Sequence, residues 1–151
     1  MANTRPRTLR IPPKLEEELR KEFEQHGQSF SAGVVQLLTE AMKARRVPGI
    51  YFRDTPTNRR EAVIGGTGLA VWEVFTIRKS LESDEQLPQA CDFLSAHQLR
   101  QAITYHKLFP EEIDAQVDLN DSWTPEKVRE MYPELNVTDT VVDLNEPANA
   151  A

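Results

Sequence analysis

The stretch Arg7-Thr8-Leu9-Arg10-Ile11 alternates polar and apolar side chains and runs straight into Pro12-Pro13. A period of two places Leu9 and Ile11 on one face of an extended strand and Thr8 and Arg10 on the other. The prolines stop that strand at once, and Pro13 suits the first position of a helix, where its missing N–H costs nothing. Residues 1–46 hold one strand, so both of its edges are unpaired, and a core of about 45 residues is marginal by itself. Pairing the strand with its copy in a second chain solves both problems. The product is a two-stranded antiparallel ribbon lying over four helices.

The helices that complete this unit are marked in the sequence. Leu15, Leu19 and Phe23 form one stripe, Glu16 to Glu18 enrich the first turn as the helix dipole prefers, and His26-Gly27 supplies a glycine stop. A second helix opens at Gln28-Ser29-Phe30-Ser31 with Ser29 as N-cap. Val34, Leu37, Leu38, Ala41 and Met42 form its apolar stripe, and Lys43 to Arg46 make its C-terminal end basic before Pro48-Gly49.

Residues 4–46, with the text RTLRIPPKLEEELRKEFEQHGQSFSAGVVQLLTEAMKA, resemble the ribbon-helix-helix (CopG/MetJ/Arc-type) family of DNA-binding repressors. The resemblance implies a homodimer that lays its ribbon in the major groove of operator DNA. It implies that Thr8 and Arg10 read bases, with Pro6 standing where the family has a third polar reader. The amides of Phe30 and Ser31, with the Ser31 hydroxyl, would hold a phosphate at a helix N-terminus. Arg5 and Arg7 are expected on phosphates. The plainer alternative is a solvated edge for the three arginines and a capping role for Ser31.

From Pro48 the pattern changes. Two apolar stretches flank a polar turn, Asp54 to Arg60, as in a β-hairpin. Gly65-Gly66-Thr67-Gly68 lacks the Lys-Ser/Thr that completes a phosphate loop, and Thr67 reads as the N-cap of a helix over 69–80. Helical segments are expected at about 86–93 and, capped by Ser95, at about 96–106. The last two match a helix-turn-helix signature whose polar face carries His97, Gln98, Arg100, Gln101 and Thr104. The texts PGIYFRDTPTNRREAVIGGTGLAVWEVF and FLSAHQLRQAITYHKLFPEEID resemble the unknown-function helix-turn-helix-like domain of VapB-like antitoxins. These five residues, with Arg59 and Arg60 from the hairpin loop, form a second candidate DNA face. A solvated face, or one covered by a second copy or a partner, is the alternative.

Charge divides the chain in the same places. Residues 1–46 hold nine Lys and Arg against six Asp and Glu, residues 47–118 seven against eleven, and residues 119–151 two against seven. A net −4 on the middle segment counts against tight phosphate contact there, because nonspecific affinity comes from neutralising phosphates. The tail has Thr124 as a cap and Pro125 opening a short helix to about Tyr132. Thr140 to Leu144 reads as extended, and the last residues as disordered. Trp123, Met131, Tyr132 and Leu135 are its candidate partner-binding residues, with packing back onto the middle segment as the alternative.

The expected fold is therefore mainly α with short β. Residues 1–46 form a ribbon-helix-helix DNA-binding and dimerisation domain, residues 47–118 a β-hairpin plus helix-turn-helix-like domain, and residues 119–151 an acidic, partly disordered segment. The expected function is a sequence-specific DNA-binding repressor acting as a homodimer or a higher oligomer on double-stranded operator DNA. An autoregulating antitoxin is one form of that role. The rival is an interaction protein that sequesters a toxin protein through residues 48–151.

No nucleophile, base and orienting group come together in the sequence, so catalysis is not expected. No cofactor or metal is expected either: His97 and His106 are nine apart and Cys91 is the one cysteine. With no apolar run near the ~18 residues of a membrane span, the expected location is cytoplasmic, on the nucleoid.

Overall fold

The computed structural model describes residues 5–57 and 59–133. Among them the protein is mainly helical, with seven α-helices and one two-stranded antiparallel sheet. Helix α1 (Pro13–Gln25) starts on its proline and ends at Gly27, whose φ of 63° allows Gln28 N–H to reach back to the Phe23 carbonyl at 2.9 Å. Helix α2 (Phe30–Arg46) is capped by Ser29, whose Oγ accepts from the Ala32 amide at 3.3 Å. The two helices cross at Gly33, which leaves room for the Phe23 ring.

Strands β1 (Ile50–Asp54) and β2 (Arg60–Ile64) pair antiparallel, with Ile50 opposite Ile64 and Asp54 opposite Arg60. Ala62, Val63 and Ile64 are wholly buried, since β2 has α3 (Val71–Lys79) and α5 (Ala96–Leu108) packed against it. A 3-10 turn (Asp84–Gln86) and the single turn α4 (Leu87–Ala90) link α3 to α5. Helix α6 (Pro110–Asp121) lies across α3, and α7 (Pro125–Met131) follows with Thr124 Oγ1 capping the Lys127 amide at 3.3 Å. One core joins the hairpin to α3–α6: Val71, Val74, Phe75, Leu99, Ala102, Tyr105, Ile113 and Val117 all belong to it.

That core lies almost wholly beyond residue 46. Among the described residues before Val47, only Phe23 and Gly33 are buried. The α2 stripe read from the sequence is present but largely uncovered: Leu37, Leu38 and Met42 are 47%, 56% and 51% exposed and Val34 is half-buried, while Leu9 is 66% exposed.

Several expectations change in detail. Residues 5–12 form no strand here, because a strand is defined by ladder hydrogen bonds and the one described sheet is β1–β2. Thr67 is not a helix cap. Its Oγ1 donates to the Ile64 carbonyl at 2.8 Å and accepts from the Leu69 amide at 3.0 Å, which ties the glycine turn to itself. Helix α3 begins instead after Ala70, whose amide donates to the Glu73 carboxylate at 2.7 Å. The helix expected at 86–93 contracts to α4, and that at 96–106 extends to Leu108. The extended stretch expected at 140–144, the last residues and Leu135 lie outside the described residues.

Candidate nucleic-acid interface

Arg5, Arg7, Thr8 and Arg10 are all exposed, on a segment that precedes α1 and is not consumed by internal structure. At the start of α2, Phe30 and Ser31 occupy the first two helical positions, whose amides have no intrahelical acceptor. Ser29 does the capping, so the exposed Ser31 hydroxyl is not the cap. Phe30 is held in place from two sides. Its ring meets Phe23 edge-on at 5.8 Å, and the Arg20 guanidinium stands 5.4 Å above it.

The second candidate face divides. Gln98 is the third residue of a capping box: its Oε1 accepts from the Ser95 amide at 2.9 Å, and its Nε2 donates to the Gly65 carbonyl at 3.1 Å. Gln101 Nε2 donates to the Pro48 carbonyl. Both amides thus fasten α5 to the turns before and after the hairpin. His97, Arg100 and Thr104 remain exposed on the same helix.

Arg60 is likewise spent inside the molecule. Its Nε and Nη2 donate to the two oxygens of Glu40 at 2.9 and 2.7 Å, and its Nη1 stands 3.1 Å from Asp54. These carboxylates push the guanidinium pKa further up, so the pair is always charged on the arginine side. Arg59, one position earlier at the loop end, is exposed.

Sequence reasoning missed the residues that join the two modules. Glu40 is held by both Arg60 and Gln36, and Gln36 in turn accepts from Gln28. Lys43 donates to Glu112, which also accepts from the Tyr105 hydroxyl at 2.9 Å. Burial and the Glu112 charge push the Tyr105 pKa well above the usual tyrosine range. A signal existed: Gly33, Gln36, Glu40, Ala44 and Val47 recur at helical spacing, a second stripe on α2 that is polar in its middle. Glu40, through Arg60, and Lys43, through Glu112, fix the hairpin and α6 against α2.

Elsewhere, Trp123, Met131 and Tyr132 are between 42% and 51% exposed, and none belongs to the buried core. Among the described residues, no three His, Cys, Asp or Glu side chains are placed to hold a metal ion, and no helix is long and apolar enough to cross a membrane. Comparison with family models, with curated proteins and with solved structures found no match to this chain.

Proposed function

We propose that the protein is a dimeric, sequence-specific DNA-binding regulator. Two copies of residues 7–11 pair as an antiparallel ribbon, and Thr8 and Arg10 of each copy meet base edges in the major groove. Arg5 and Arg7 neutralise phosphates, and the α2 N-terminus at Phe30 and Ser31 accepts a further one. One observation supports this reading above the others. The described residues up to 46 carry an exposed basic segment of alternating sequence and an uncovered apolar helix face, yet have almost no core of their own. A second copy supplies strand partner and core together. A repressor of its own operon, in the manner of an antitoxin, is the biological form that the basic head and acidic tail suit.

Within this reading, residues 47–118 act chiefly as a rigid body attached to α2. Arg60 serves that attachment, through Glu40, while Gln98 and Gln101 brace the module internally, which leaves Arg59, His97, Arg100 and Thr104 as the side chains with access to DNA. The exposed Trp123, Met131 and Tyr132 favour a protein partner on the tail side, so toxin capture by this region stands as the second reading.

The test is selection of a binding site from random DNA, followed by titration of Arg10→Ala on the selected operator. The expected loss is on the order of 1–3 kcal/mol with relaxed preference at the contacted base pair. Unchanged affinity and preference would overturn the assignment.

A further inference from the structure

We infer that residues 140–146 are a built-in competitor of DNA, docking as an added strand along residues 7–11. The inference rests on the proposed DNA-binding reading and assigns a regulation to that same surface. Arg5, Arg7, Arg10 and Lys14 are exposed, with no acid between them in the sequence. None of the four has a carboxylate in ion-pair range among the described residues. In the body of the molecule, by contrast, Lys43, Arg53, Arg60, Arg78 and Lys79 each hold a carboxylate. Residues 5–14 are thus a run of cations that the folded body leaves unneutralised.

Residues 134–151 carry the opposite charge: Glu134, Asp139, Asp143 and Glu146, with no Lys or Arg. One antiparallel register sets the two stretches against each other residue by residue. Ile11 faces Val142, Leu9 faces Leu144, Arg10 faces Asp143, and Arg7 faces Glu146. The match holds on both faces, since a period of two puts Arg7, Leu9 and Ile11 on one and Arg10 on the other. Beyond the strand, the same direction carries Asp139 toward Lys14 at the start of α1.

Reach and geometry agree with this. The 18 residues from 134 to 151 span up to roughly 60 Å when extended, against a radius of gyration of about 14 Å for a folded chain of this size. A tether of that length gives an effective concentration on the order of 1 mM, so a contact with a Kd of about 0.2 mM weakens DNA binding about sixfold. A ribbon strand paired with its copy keeps one outer edge open, and strand addition uses that edge. A major groove about 12 Å wide admits two strands. With a tail on each edge the sheet has four, and its outer backbones stand roughly 14 Å apart before side chains are counted. Docked tail and inserted ribbon therefore exclude each other.

The experiment keeps the full chain and neutralises the tail: Glu134→Gln, Asp139→Asn, Asp143→Asn and Glu146→Gln together. The control removes the same charge from exposed acids of the body, with Glu82→Gln, Glu85→Gln, Asp92→Asn and Glu130→Gln. On the selected operator, the tail variant is expected to bind about three- to tenfold tighter than wild type at low salt, and the control to stay within about twofold. The gain should shrink toward 1 M salt, where the screening length falls to about 3 Å. Carbodiimide cross-linking of the wild type, mapped by mass spectrometry, is the second measurement. Lys14 should couple to Asp139 or Asp143, and operator DNA should abolish the product. Equal gains in the two variants, or unchanged affinity with no such cross-link, sink the inference and leave the DNA-binding reading standing. If neither wild type nor the tail variant binds DNA, both fall.

Discussion

Arg60 closes on Glu40 with two parallel hydrogen bonds, 2.9 Å from Nε and 2.7 Å from Nη2, across the boundary between the helical head and the hairpin module. The fork geometry matches a guanidinium to a carboxylate, and the Glu40 side chain is only 12% exposed. Removing one partner leaves the other charge partly desolvated, which costs more than the pair itself contributes. Arg60→Ala is expected to lower stability by about 1–3 kcal/mol. Glu40→Gln should cost less, because Asp54 and the Phe52 carbonyl still receive the guanidinium. Urea unfolding of both single variants and the double variant checks this through a coupling energy. Additive losses would mean that the fork does not join the modules energetically.

Gly33 is fixed by the ring that crosses it. A Cβ placed there falls 2.4 Å from carbons of Phe23, and Phe23 is wedged against Phe30. Alanine in a helix interior gains about 0.5–1 kcal/mol over glycine, whereas overpacking of this kind costs about 1–3 kcal/mol. Gly33→Ala should therefore destabilise on balance. Adding Phe23→Leu should recover part of the loss, giving a double variant milder than the sum of the singles in chemical denaturation.

Gln98 and Arg100 are neighbours on α5 with opposite duties. Gln98→Ala removes the bonds to the Ser95 amide and the Gly65 carbonyl, for an expected loss of about 1–2 kcal/mol in thermal or urea unfolding. Arg100→Ala touches nothing buried and should change stability by no more than about 0.5 kcal/mol. Since the module is acidic and its glutamines are engaged, Arg100→Ala is also expected to leave operator affinity and its salt dependence unaltered. A salt slope smaller by about one would place α5 on a phosphate instead.

What could be read in advance followed the range of the interaction. Ser29, Ser95 and Thr124 were legible as caps because a cap bonds amides two or three positions away. The α2 stripe at Leu38 and Met42 was legible as apolar, and its exposure was not, because a periodic pattern says which side chains share a face and not what covers it. Glu40 with Arg60 and Lys43 with Glu112 span 20 and 69 positions. Their pairing depends on how the hairpin and α6 settle against α2, which no local spacing encodes. Thr67 misled because a threonine before a helical run has the chemistry of a cap. The glycines at 66 and 68, with φ of 78° and 71°, turn it back on Ile64, and Glu73 selects Ala70 as the start.

Tyr105 links burial to pH. It is wholly buried and donates to Glu112 at 2.9 Å, and burial first, then the Glu112 charge, hold its pKa far above the ordinary value of 10.0. In the unfolded chain the phenol titrates normally, so the folded state binds more protons once the pH passes that value. Stability from this group is fully present below pH 10 and declines as the pH rises beyond it. Two other tyrosines are described, Tyr51 and Tyr132, and both are exposed. Spectrophotometric titration at the tyrosinate band should show Tyr105 silent until the protein unfolds. Tyr105→Phe removes the titration and the bond to Glu112 together. It should cost about 0.5–1.5 kcal/mol near neutral pH and flatten the alkaline decline. A full tyrosinate signal in folded protein near pH 10 would place the Tyr105 ring in contact with water, and the Lys43–Glu112 anchor of α2 would have to be redrawn.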